Sequence, residues 1–189
     1  MTPEEFSRKV KAHDAELQRY IQRQLPVKVG AKAKSIFQEN FRKGGFQDGS
    51  AFEQWPATKR QASGRGADAG RGPLLSSRKV LYSSIRYVPG NGFVTISSDV
   101  HYAGIHNEGG VTHPRVTPKM RKYAWARYYE AGGKNAASGE ADFWKGLALT
   151  KKQTLGIRIP RRHFMGPTAT LTNAIQSIVE KDLNTILSK

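Results

Sequence analysis

Ten residues of this chain, HYAGIHNEGG from His101 to Gly110, place two histidines and a glutamate beside a glycine pair, and His113 follows shortly after. Imidazoles and carboxylates are the common ligands of zinc and manganese and the common groups of general acid–base catalysis. The spacing suits neither role. His106-Asn107-Glu108 matches the opening of the HxE signature of zinc deaminases, whose other ligands come from a PCxxC segment, and this chain has no cysteine. A site built from His101, His106, Glu108 and His113 would straddle Gly109-Gly110, and no HExxH spacing occurs. A serine hydrolase would need a GxSxG elbow, which is absent. The glycine run GRGADAGRG fits neither the dinucleotide fingerprint nor a P-loop, which requires GKS or GKT opening a helix. We therefore expect no catalytic residue, no metal and no cofactor.

Charge is the more informative property. The chain has 31 Lys and Arg against 15 Asp and Glu, a net +16, with a pI near 10.3. Such a field attracts phosphate polymers and acidic protein surfaces alike. The excess is spread rather than gathered in one tail. Lys59, Arg60, Arg65, Arg71, Arg78 and Lys79 surround the glycine-rich run; Lys119, Arg121, Lys122 and Arg127 fall in a later helical stretch; Arg161 and Arg162 stand side by side. The first group and the late arginine pair are the candidates for an interface or for contact with DNA. The absence of cysteine excludes disulfides, thiolate nucleophiles and iron–sulfur clusters. Eight Phe, seven Tyr and three Trp in 189 residues supply a core, and no apolar run approaches the roughly 18 residues of a membrane span. The charged, periodic start lacks the apolar region of a secretory signal, so folding in the cytoplasm is expected.

The elements that must position these residues follow from periodicity. Phe6, Val10, Leu17, Tyr20 and Ile21 recur at helical spacing behind Pro3 and an acidic first turn. Pro26 predicts a break, and Ala33, Ile36, Phe37, Asn40 and Phe41 a second helix ending at Gly44-Gly45, so residues 1–45 read as a helical hairpin. Residues 46–78 read as a basic, Gly-rich loop anchored at its entrance by Trp55. Residues 79–110 alternate around PGNG as a β-hairpin, with Ile85 and Tyr87 or Val88 facing Phe93, Val94 and Ile96. A short helical turn then ends at Gly109-Gly110, with Tyr102 and Ile105 in the core. Residues 111–156 read as an insertion containing a helix from Thr117 or Pro118 to about Ala131, and 157–189 as a strand and an amphipathic C-terminal helix. The predicted fold is α+β in a single domain, residues 1–189. A small antiparallel sheet carries the helical hairpin and the C-terminal helix packed on it, with a long loop and a helical insertion.

In this order the pieces resemble the virion-morphogenesis family of tailed phages, which includes tail-completion proteins and is similar to the neck proteins of long-tailed phages. The matching positions are Trp55-Pro56; Leu81, Ser84 and Ile85, a strand in the family; Tyr102, Ala103, Ile105, His106, Gly109 and Gly110; and Ile159, Pro160, Arg162, Phe164, Met165 and Gly166 before the last helix. Two features depart from the family pattern. The link from Val111 to Gly156 is longer than usual, which suggests a contact of its own, and His163 stands where proline is usual.

The resemblance implies a non-enzymatic virion component, a ring subunit with six-fold symmetry expected, at the head–tail junction or tail end. Its implied partners are its own copies, other head–tail joining and tail proteins, and packaged DNA, with no membrane. It would pass through the host cytoplasm during assembly. Closed rings need two different, complementary patches on each subunit. The alternative is a basic nucleic-acid-binding protein, which would bind DNA tightly as a monomer with a steep salt dependence.

Overall fold

The computed structural model describes residues 2–64, 66–136 and 139–188. The chain forms two compact units, one of Met1–Gly109 with Pro160–Lys189 and one of Gly110–Ile159. Among the described residues no helix is long and apolar enough to cross a membrane.

In the first unit, Thr2 caps helix α1 (Pro3–Arg19): its hydroxyl accepts from the Glu5 amide while the Glu5 carboxylate accepts from the Thr2 amide. The chain does not turn back at Pro26. It runs through a π-helical turn (Tyr20–Gln24) into α2 (Leu25–Lys43) with right-handed helical backbone throughout. The expected helical hairpin is therefore a single interrupted helix, and proline chemistry explains how. Pro26 has no N–H to give the Gln22 carbonyl, and its ring crowds that carbonyl. The helix widens so that the Leu25 amide reaches the Tyr20 carbonyl, one residue further than in an α-helix. The orphaned Gln22 carbonyl accepts instead from Gly92 at the tip of the later hairpin, at 3.0 Å. Of the expected apolar stripe, Phe6 and Val10 lie outside the described side chains, Tyr20 is buried, and Ile21 is exposed.

Helix α2 ends as expected at Gly44, in left-handed conformation with φ 70°. The next residues do not begin a loop. β1 (Gly45–Asp48) and β2 (Ala51–Gln54) form an antiparallel hairpin around Gly49-Ser50, followed by a short helix α3 (Lys59–Ser63). Of the positions read as a strand by resemblance, Leu81 and Ser84 lie in helix α4 (Val80–Ser84) and Ile85 opens the following strand. The helix leads into β3 (Ile85–Pro89) and β4 (Val94–Ser98), the PGNG hairpin, with Tyr87 opposite Ile96 and Pro89 opposite Val94. Ile85 is fully buried, whereas Val88 and Phe93 at the tip are exposed. A short helix α5 (Ala103–Glu108) closes the segment at Gly109. The C-terminal helix α8 (Ala169–Leu187) starts at the Thr168 cap and lies along α2, where Lys28 and Asp182 pair at 2.6 Å.

Ala33, Phe37 and Phe41 follow one another at i, i+4 spacing down α2 and meet Trp55, Leu81, Ile85, Ala103 and Phe164 in the core. Each fully buried Phe contributes about 1.5–3 kcal/mol. The β3–β4 ribbon lies directly on α2 because residue 30 is glycine. A Cβ there would stand 2.3 Å from a ring carbon of Tyr87.

The second unit is bounded by β5 (Gly110–Thr112) and β6 (Ile157–Ile159), which pair antiparallel and continue through a bridge between Arg115 and Thr154. Thr117 caps helix α6 (Pro118–Glu130), and a 3₁₀ turn leads toward helix α7 (Gly139–Leu149), which packs against α6. Ala124, Tyr128, Ala141 and Ala148 are buried, and the Arg121 guanidinium donates to the Ala148 carbonyl at 2.9 Å. The α+β class holds, and among the described residues the strands form three separate two-stranded ribbons in place of one small sheet.

Candidate functional site

Three of the motifs read in the sequence converge in the first unit on the segment Arg161–Gly166. Six of its backbone groups, from the Arg162 amide to the Met165 carbonyl, bond to residues outside it. Asn107 on α5 accepts from the amides of Phe164 and Met165 at 2.9 and 3.0 Å, and its amide nitrogen donates to the Met165 carbonyl at 3.1 Å and to Glu108 at 2.6 Å. The oxygen and nitrogen of this side chain can be placed only one way, because one end meets two donors and the other two acceptors. Asn40 on α2, 1 % exposed, donates to the Phe164 carbonyl at 3.2 Å and accepts from the Gln47 amide. The Trp55 indole donates to the His163 carbonyl at 2.8 Å. The Arg162 amide donates to the His106 carbonyl at 2.8 Å.

Side chains complete the junction. Phe164 is fully buried with its ring 5.0 Å from that of Phe41, which in turn meets Trp55 edge-on at 5.6 Å. His163 stacks on Phe46 at 4.0 Å, and Gly166 leaves room for it, since a Cβ there would stand 2.5 Å from the imidazole. Gly109 has φ 74°, and a Cβ on it would lie 2.9 Å from the Arg161 amide nitrogen. Backbone conformation and close approach both require glycine there. Gly110 follows with φ 142°, and Pro160 is exposed at the head of the segment. Tyr102 and Ile105 are partly buried, Tyr102 against the core.

Arg162 was a candidate for an interface or DNA contact, and the structure places it inside. It is 6 % exposed, and its guanidinium donates to the carbonyls of Pro56 at 3.0 Å and Ala57 at 3.4 Å. Burial lowers its pKa from the ordinary arginine value. Beside it His106 is half-buried with Tyr102 edge-on at 5.7 Å; burial first, and the Arg162 charge second, hold its pKa below the usual imidazole value. Among the described residues no group of three or more His, Asp or Glu side chains is placed to hold a metal ion.

The remaining basic candidates divide. The Arg60 guanidinium donates to the carbonyls of Gly72 at 2.7 Å and Leu75 at 3.0 Å, and Arg71 pairs with Asp68 at 2.6 Å, so both brace the glycine-rich segment. Arg65 lies outside the described residues. Lys59, Arg78, Lys79 and Arg161 are exposed; Lys79 adopts left-handed backbone, φ 49°, and Arg161 meets the His163 ring at 3.1 Å. Sequence reasoning missed Asn40 and Asn107 as the clamps. No local signal marks them, since their partners lie far along the chain. It also missed the hairpin of β1 and β2, which Asp48-Gly49 signals directly.

The arrangement is a clamp, which fixes the segment Arg161–Gly166 against α2, α5 and Trp55. The profile of the phage virion morphogenesis family matches residues 8–184. The chain matches no curated protein and no solved structure at a significant level. With a match running almost end to end, this chain belongs to the phage virion morphogenesis family.

Proposed function

We propose that the chain is a tail-completion or neck subunit, a ring component that finishes the tail or joins it to the filled head without catalysing a reaction. The observation that carries this reading is the family match over residues 8–184. Two further features support it. Asn40, Trp55 and Asn107 direct their polar atoms to the backbone of one segment, as suits a rigid building block. The first unit also carries exposed apolar residues at the ribbon tip, Val88 and Phe93, 58 % and 61 % exposed, which suit one half of a heterologous contact between copies. The ring has six copies in this reading, sits at the head–tail junction or tail end, and contacts other joining and tail proteins. Lys59, Arg78, Lys79 and Arg161 are exposed and are the candidates to approach packaged DNA. Assembly takes place in the host cytoplasm.

The test is a phage carrying a nonsense codon in this reading frame, grown with and without the chain supplied in trans. Filled heads and separate tails, or tails lacking their terminus, are expected by electron microscopy in its absence, with joined infectious particles restored in its presence. Normal yields of infectious particles without the chain would contradict the proposal.

A further inference from the structure

The second unit has a surface of its own that the clamp does not use. Among the described residues twelve large apolar side chains are at least 40 % exposed, and six of them fall within residues 110–159, about a quarter of the chain. Isolated exposed apolar residues are ordinary on any protein, whereas contiguous ones mark binding surfaces. Here two of the six are joined through the partly buried ring of Trp144. Tyr123 on α6 meets Trp144 on α7 edge-on at 5.8 Å, and Phe143 meets Trp144 at 5.1 Å, with Tyr123 and Phe143 both more than half exposed.

Charge selects the occupant. Residues 110–159 hold ten Lys and Arg against three acidic residues, a net +7, which leaves +9 for the rest of the chain. Two of the three acids, Glu130 and Glu140, lie on Arg127 at 2.6 and 3.7 Å, so they do little to offset the surrounding lysines. Lys119 sits one turn before Tyr123 on the same face of α6, Lys122 is its neighbour, and Lys145 follows Trp144; all three are exposed. A second copy of this chain is itself strongly positive and is repelled by such a rim. A phosphate backbone would satisfy the lysines but leave the apolar surface wet. An aromatic centre with a polar, charged rim is the composition of a protein–protein interface.

We infer that the α6–α7 face of the second unit docks a different phage protein, one whose matching face is apolar at its centre and acidic around it. The inference rests on the proposed role in virion assembly and names the partner chemistry of the longer link. It is tested by producing the full chain during infection with benzoylphenylalanine in place of Tyr123 or of Phe143, and irradiating the cells. The expected result is a crosslink to one other phage-encoded protein of acidic pI, whose yield falls roughly ten-fold when Lys119→Glu, Lys122→Glu and Lys145→Glu are combined. A crosslink to a second copy of this chain, a nuclease-sensitive crosslink to DNA, or no crosslink from either position would overturn it. Because the adduct is read in infected cells, it stands or falls separately from whether purified particles retain the chain, which bears on the ring assignment.

Discussion

Asn107→Ala is expected to lower the thermal midpoint of the first unit by about 4–16 °C. The side chain holds four hydrogen bonds, and two of them satisfy the amides of Phe164 and Met165. Phe164 is fully buried, so its amide has no access to water once the asparagine is gone. An unsatisfied buried donor costs about 1–3 kcal/mol, which gives roughly 2–4 kcal/mol for the pair and its lost acceptor. In a chain of this size each kcal/mol moves the midpoint by about 2–4 °C. Asn107→Asp separates the contributions. It keeps an oxygen for the two amides, loses the donor to the Met165 carbonyl, and sets a carboxylate beside Glu108. Its melting, followed by circular dichroism at neutral pH, should fall between wild type and the alanine variant. A midpoint unchanged by Asn107→Ala would mean that the clamp does not hold the segment.

Gly30→Val should be of similar size. Helices disfavour glycine by about 1 kcal/mol relative to alanine, so on propensity alone a substitution in mid-α2 should stabilise. The packing reverses the sign. A Cβ at residue 30 would lie 2.3 and 2.7 Å from Tyr87 ring carbons and 2.9 Å from a Val94 methyl, so the ribbon must lift from the helix or the ring must leave its place. Overpacking of this kind costs about 1–3 kcal/mol, and a β-branched side chain has little rotamer freedom with which to avoid it. The ribbon is also tied to the same helix by the bond from Gly92 to the Gln22 carbonyl, which limits how far it can shift. Urea titration of Gly30→Ala in the wild type and in a background combining Tyr87→Ala with Val94→Ala isolates the clash: alanine should destabilise the first and stabilise the second by up to about 1 kcal/mol. A stabilising effect in both backgrounds would show that the helix and ribbon are not pressed together at this point.

These two positions also show where reading the sequence stops. Helix ends marked by local chemistry were legible: Gly44 closing α2, Thr117-Pro118 opening α6, and Gly109 closing α5 all stand where the residues put them. The PGNG hairpin was legible for the same reason, since turn and alternation are both local. Pro26 was not, because the donor that relieves its lost hydrogen bond is Gly92, in a different element. Nor does anything local distinguish Arg162 from Arg161. One is buried against the carbonyls of Pro56 and Ala57 and its neighbour is exposed, and the difference is set by a segment more than a hundred residues away. The strand read into Leu81–Ser84 came from resemblance rather than from these residues, and they form a helical turn. In the opening stretch the histidines drew attention as ligands. The work is done by Asn107 between them and the glycines, through backbone geometry that composition does not display.

The proposed role, a ring component built into the finished particle, is best tested by counting the chain there. Quantitative mass spectrometry of purified phage particles, calibrated against a labelled standard of the 21.0 kDa chain and against the tail-tube protein, gives copies per virion. The expected result is a small fixed number set by ring symmetry, about six. Its absence from intact infectious particles, or a number that varies from preparation to preparation, would contradict the claim.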